Sequence, residues 1–304
     1  MTDRSREGVL VRLARELGWR AYAIPVLVVI TVWVLIDVFS APAAPNGDVP
    51  GAETTASDTD TDEDSDGRDG PRDSGPNPAD DPDRPVAPTE LPPGGAYAQS
   101  GDGTYRVVGR PGAAVGQGDD MVIRYVVEVE NGVDTAGSGG DDALAAMVDA
   151  TFANPKGWTN DPKFRFEHVS PDDDPDMRIQ LTSVDTTQDM CGGNLEMETS
   201  CHVRYNDISH VVINESRWVR GAAPFNGDVG SYRQYLVNHE VGHGLGYAAH
   251  EPCGGDGELA PIMMQQTLSL NNSELASYST EDAYPDDGAT CVFNPWPYPR
   301  PAVL

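Results

Sequence analysis

Two histidines four residues apart with a glutamate between them, His239-Glu240-Val241-Gly242-His243, constrain this chain more than any other stretch. At 3.6 residues per turn, a step of four rotates about 40° around a helix axis, so both imidazoles share a face if the segment is helical. On that face they can grip one zinc ion while the Glu240 carboxylate stays free beside them. Tyr232, Tyr235, Leu236 and Val237 give such a helix an apolar side, so a helix is predicted near Tyr232. Hydrolytic zinc needs three protein ligands and one open position. Gly244 and Gly246 allow a sharp reversal that would swing His250 back toward the metal as third ligand.

The run from Asn238 to His250, followed by Met263 in Pro261-Ile262-Met263-Met264, resembles the metzincin clan of zinc peptidases, whose pattern is HExxHxxGxxH and then a Met-turn. More narrowly, the chain resembles an uncharacterised actinobacterial family of secreted or membrane-anchored metzincin-like peptidases. The matching features are Asn154 to Trp158, the Cys191 and Cys201 pair, Asn238 to His243, Ala260 to Thr267, and Cys291 to Pro297 with its Asn294-Pro-Trp-Pro. The resemblance spans roughly residues 100 to 300. It implies a zincin-like α+β fold, peptidase chemistry and Met263 as an apolar floor beneath the metal ligands.

One departure bears on the ligand set. The metzincin pattern puts its third histidine three residues after the glycine, where this chain has Ala249; His250 comes one residue later. Imidazole is a common zinc ligand and loops absorb single insertions, which favours His250. Glu251, Asp256, Glu274 and Glu281 are the carboxylate alternatives, and Cys253 is a further one. With three neutral imidazoles the metal keeps its charge and lowers the pKa of a bound water. Glu240 is then the general base for that water, and no serine or cysteine nucleophile is needed.

Composition bears on compartment. Five arginines, at positions 4, 6, 12, 15 and 20, precede an uncharged stretch from Ala21 to Ile36, with Trp33 and Phe39 as interface anchors. We read residues 1–20 as a cytoplasmic basic segment and 21–39 as a transmembrane anchor oriented with the arginines inside. A signal sequence cut at Ala41-Pro42-Ala43 is the alternative, giving a secreted protein. Both readings place the remainder outside the cytoplasm. Residues 40–95 form a linker rich in Pro, Gly and Asp; from 41 to 95 it carries 14 acidic and 3 basic residues, and it has too few large apolar groups to fold. Self-repulsion keeps it extended.

Residues 96–304 are long enough for one domain with a substantial core. Strands are predicted at Tyr105 to Val108, Met121 to Val129, Phe164 to Val169, Met177 to Thr182 and His210 to Ile213, and a helix at Asp141 to Phe152. Sheet first, metal helix second and an irregular C-terminal part third is an α+β order. The zincin resemblance implies an edge strand beside the cleft that pairs with an extended substrate, and Met177 to Leu181 is the candidate for it. In an oxidising compartment four cysteines read as two disulfides, and sequential pairing, Cys191 with Cys201 and Cys253 with Cys291, is the most economical of three. His168, His202 and His210 lie in strand or loop contexts and are read as structural. The domain carries 31 acidic and 12 basic residues, which disfavours nucleic acid and anionic surfaces as partners.

The expectation is an extracytoplasmic, membrane-tethered zinc endopeptidase acting on proteins or peptides. A catalytically silent zinc-containing binding module and a zinc amidase acting on cell-wall peptides are the alternatives. Glu240 argues against the first, because a structural site needs no free carboxylate. The second shares the chemistry and differs in substrate.

Overall fold

The computed structural model describes residues 87, 90–192, 199–278 and 284–301. The predicted anchor or signal segment, nearly all of the linker and Glu281 lie outside the described residues. Among those described, no helix is long and apolar enough to cross a membrane. In chain order the elements are β1 (Tyr105–Val108), β2 (Ala114–Gly116), β3 (Met121–Glu130), α1 (Asp141–Ala153), β4 (Phe164–His168), β5 (Met177–Thr182), α2 (Val184–Cys191), β6 (Cys201–Tyr205), β7 (Ile208–Asn214), α3 (Glu215–Arg220), α4 (Val229–Gly244) and α5 (Asn272–Tyr278).

The strands form one mixed seven-stranded sheet in the order β2-β4-β3-β5-β7-β6. Strand β1 pairs with Val127 to Glu130 of β3, beyond the Met121 to Tyr125 stretch that pairs with β4. The central strands β4, β3, β5 and β7 run parallel, while β2, β1 and β6 are antiparallel to their neighbours. Parallel strands buried on both faces read as apolar runs, and Val126, Val127 and Val129 in β3 are fully buried. One face of the sheet buries Tyr125, Val127, Ile179, Leu181, Val211 and Ile213 in a single cluster with Leu144, Val148 and Phe152 of α1 and with the apolar residues of α4.

The strand predicted at Met177 to Leu181 exists, but it is not an edge. Strand β5 lies between β3 and β7, so its backbone groups are spent within the sheet. The edge on that side is β6, paired antiparallel to β7 through a two-residue connection, Asn206-Asp207, with φ of 50° and 65°. Positive φ at both central residues is the hairpin geometry that matches strand twist, and Asn and Asp tolerate it better than other side chains.

Helix α4 starts earlier than its apolar residues suggest. Asp228 caps it by accepting a hydrogen bond from Ser231 N–H at 2.9 Å, which satisfies one of the donors left over in the first turn. Residues Tyr235 to Gly242 are all buried, so this part of the helix is enclosed on every side rather than laid on a surface. Both disulfides follow the sequential pairing. Cys191–Cys201 ties the end of α2 to the start of β6, and Cys253–Cys291 ties the loop after α4 to the C-terminal segment. The second bridge sits in its own apolar cluster with Ala260, Met264, Leu268, Leu275 and Tyr284.

Candidate metal centre

The end of α4 brings the three histidines together. Gly246 has φ of 103°, a left-handed conformation suited to glycine. Tyr247 N–H donates to Gly242 O, and Gly246 N–H to His243 O, each at 3.0 Å. This 6→1 and 5→2 pair is the Schellman termination, which reverses the chain immediately after the second histidine. His250 returns in consequence, and one ligand atom from each of His239, His243 and His250 lies within 4.8 Å of the others. The extra residue in the loop does not keep His250 away. Its ring lies parallel to that of His239, with centroids 5.4 Å apart.

The tautomers are set by what the rings touch. His239 Nδ1 is 2.8 Å from the carbonyl oxygen of Ile262, and His243 Nδ1 is 2.9 Å from that of Tyr247. A carbonyl only accepts, so each Nδ1 carries the proton and each Nε2 offers a bare lone pair. Backbone-oriented imidazoles of this kind are the usual outer support of a metal site. Burial, together with the neighbouring His243 and His250, holds the His239 pKa well below the ordinary histidine value, so the ring is neutral and ready to ligate. The donor set therefore fits a divalent transition metal.

Among the described residues, the competing ligands stand outside this group. Asp256 accepts from Thr290 N–H at 2.8 Å, Glu274 accepts from Ser269 Oγ, and Cys253 is in a disulfide. Glu251 does not belong to the group of possible metal ligands found among the described residues.

Glu240 lines the same cavity and is only 4% exposed. Burial pushes its carboxyl up to about 8. The cavity, about 410 Å³, is bounded on one side by Ser200, Cys201 and His202 at the edge strand and on the other by Gln265, Thr267 and Leu268 after the Met263 turn. Tyr235 also lines it, its hydroxyl donating to Met264 O at 2.9 Å and accepting from Gln266 N–H at 3.0 Å.

Residues outside the ligand set build the support. Met263 lies in a turn closed by Met264 N–H donating to Pro261 O at 3.0 Å. It packs on the glycine face of α4, so close that a Cβ on Gly242 would stand 2.5 Å from its Sδ and 2.9 Å from Trp158 Cζ2. Trp158 in turn donates from Nε1 to Asn238 O at 3.0 Å, and Asn238 Nδ2 donates to Pro295 O at 2.9 Å. Gln266 and Asn294 lock together: Gln266 Nε2 donates to Asn294 O and Asn294 N–H to Gln266 Oε1, each at 2.9 Å. Three sequence motifs thus close around the helix that carries a fourth. The other two histidines lie elsewhere, His168 with Asp149 at 3.0 Å and His210 with Gln180 at 2.9 Å.

Gly242→Ala should therefore destabilise the fold. Met263 can move its sulfur, but Trp158 is pinned by its indole hydrogen bond, so overpacking of about 1–3 kcal/mol is expected. For a domain of this size each kcal/mol lowers Tm by roughly 2–4 °C. A thermal melt of the full-length chain checks this; a Tm equal to wild type would refute the close packing.

A family profile described as "Protein of unknown function (DUF3152)" matches residues 91–299, well over half of the chain. Neither a curated protein nor a solved structure matches it.

Proposed function

We propose a function for this chain, which belongs to the DUF3152 family: an extracytoplasmic zinc-dependent endopeptidase of metzincin-like architecture, acting on proteins or peptides. The observation that carries this reading is a buried carboxylate, Glu240, that lines the same cavity as three convergent imidazoles without belonging to their group. His239, His243 and His250 would hold the metal. Zinc bound there supplies a Lewis acid that polarises a carbonyl and makes water acidic at neutral pH.

The protein's own groups do the rest. Glu240 takes a proton from the attacking water as its oxygen bonds the carbonyl carbon. The carbon–nitrogen bond then breaks, and Glu240 returns the proton to the leaving amine. Its desolvated carboxyl is a stronger base than an exposed glutamate. Among the described strands β6 is the edge beside the cavity, onto which an extended peptide adds as a further strand. Met263 holds α4 from below and takes no part in the chemistry. The two disulfides support an oxidising, extracytoplasmic compartment; the basic and then apolar N-terminal sequence supports a membrane tether, and the acidic domain disfavours nucleic acid as a partner.

The purified full-length chain should hold about one zinc, since there is one ligand set. It should cleave members of a peptide library, stop on chelation and recover on zinc addition. A zinc-loaded chain that cleaves nothing in a broad library would overturn the peptidase reading.

A further inference from the structure

One titratable side chain in the cavity is used neither by the ligand set nor by the proton transfers. His202 lines the cavity from the edge strand β6. It stands next to the end of the metal helix: a Cβ on Gly244, the residue after His243, would lie 3.5 Å from His202 Cδ2 and 3.1 Å from Ser209 Oγ. It is not among the three histidines that converge as ligands.

The ring is held at one nitrogen. His202 Nε2 is 2.6 Å from Ser209 Oγ on β7, and Ser209 is buried. No other described residue hydrogen-bonds either group. If Nε2 carried the proton, the buried serine hydroxyl would have no acceptor for its own hydrogen. The arrangement that satisfies that donor is Ser209 Oγ–H to Nε2, since an unfilled acceptor costs less than an orphaned donor. This puts the ring proton on Nδ1. Because Nε2 and Cδ2 face Ser209 and Gly244, the Nδ1 edge is the one left for the cavity. Burial, with Arg204 and His210 nearby, lowers the pKa of His202, in keeping with a neutral ring that has one N–H to give.

We propose that His202 donates a hydrogen bond from Nδ1 to the carbonyl oxygen of the scissile amide as that oxygen becomes an oxyanion, with Ser209 positioning the ring. This rests on the peptidase reading above. In the step concerned, the water oxygen bonds the carbonyl carbon, the π pair moves onto the carbonyl oxygen and the water proton goes to Glu240. His202 transfers no proton. It stabilises the charge where it develops and is bound less tightly by the uncharged substrate, so its effect falls on kcat rather than on KM.

The test uses the full-length, zinc-loaded chain and a peptide it is found to cleave. His202→Phe, which keeps a ring but has no N–H, should lower kcat by about 100-fold. KM should stay within a few-fold of wild type, and zinc per chain and the rise in Tm on zinc binding should be unchanged. Ser209→Ala should give a smaller loss in kcat, and Ser209→Thr, which restores the hydroxyl, should recover it. A His202→Phe variant with wild-type kcat would overturn the role, as would one that loses zinc in parallel with activity. If that variant does not fold, Ser209→Ala decides, and an unchanged kcat overturns the proposal. A zinc-loaded wild-type chain that cleaves nothing overturns the peptidase reading and this role with it; equal cleavage by wild type and His202→Phe overturns this role alone.

Discussion

Glu240→Gln should keep its zinc and lose peptide hydrolysis by about 100-fold to 10,000-fold, the usual cost of removing a positioned general base. The amide has nearly the size of the carboxylic acid and can occupy the same buried place on α4. Removing a desolvated carboxylate also relieves the burial that pushes its pKa up to about 8. Stability should therefore hold or rise while turnover collapses, a split that misfolding cannot imitate. Metal content, a thermal melt and kcat on one peptide measure the three quantities. Turnover at the wild-type rate would show that Glu240 is not the base.

His250→Ala is expected to have the second largest effect, on zinc affinity. Losing an outer hydrogen-bond partner of a metal ligand typically costs about 10-fold to 100-fold, and loss of a direct ligand should exceed that. The loop that carries His250 is anchored independently, by Glu251 N–H to Met263 O at 3.2 Å and by the Cys253–Cys291 bridge, so the substitution should leave the fold intact. Glu251→Ala, Asp256→Ala and Glu274→Ala are the matched controls and should bind zinc like wild type, because none of these carboxylates belongs to the histidine group. Titration with a competing zinc chelator measures the difference. Wild-type affinity in His250→Ala would remove it from the ligand set.

The parts of this protein that were legible in its sequence are those whose signal is local. A helix through His239 and His243 follows from the four-residue spacing, because that separation has one periodic solution in which both rings share a face. The reversal after it follows from Gly246, since a left-handed residue at a helix end is cheap for glycine. Strands β1, β3, β5 and β7 carry β-branched residues and β4 alternates buried with half-buried side chains, and the economical cysteine pairing agrees with the two disulfides. Strand β6 carried a weaker mark. Its residues do not form an apolar run, and its clue was the Asn206-Asp207 pair, a hairpin turn that can be read only if both flanks are already taken as strands.

What the tertiary structure decided is order and convergence. Whether β5 or β6 lies at the sheet edge depends on pairing between strands far apart in sequence, and an interior and an edge strand can have the same local composition. The same holds for Trp158, Asn238 and Asn294. Each is an ordinary residue in its own segment, and only packing around α4 makes them one support. Local periodicity settled which residues share a helix face. Long-range contacts, whose partners no short window contains, settled that His202 borders the cavity and that a buried Glu240 stands beside three imidazoles.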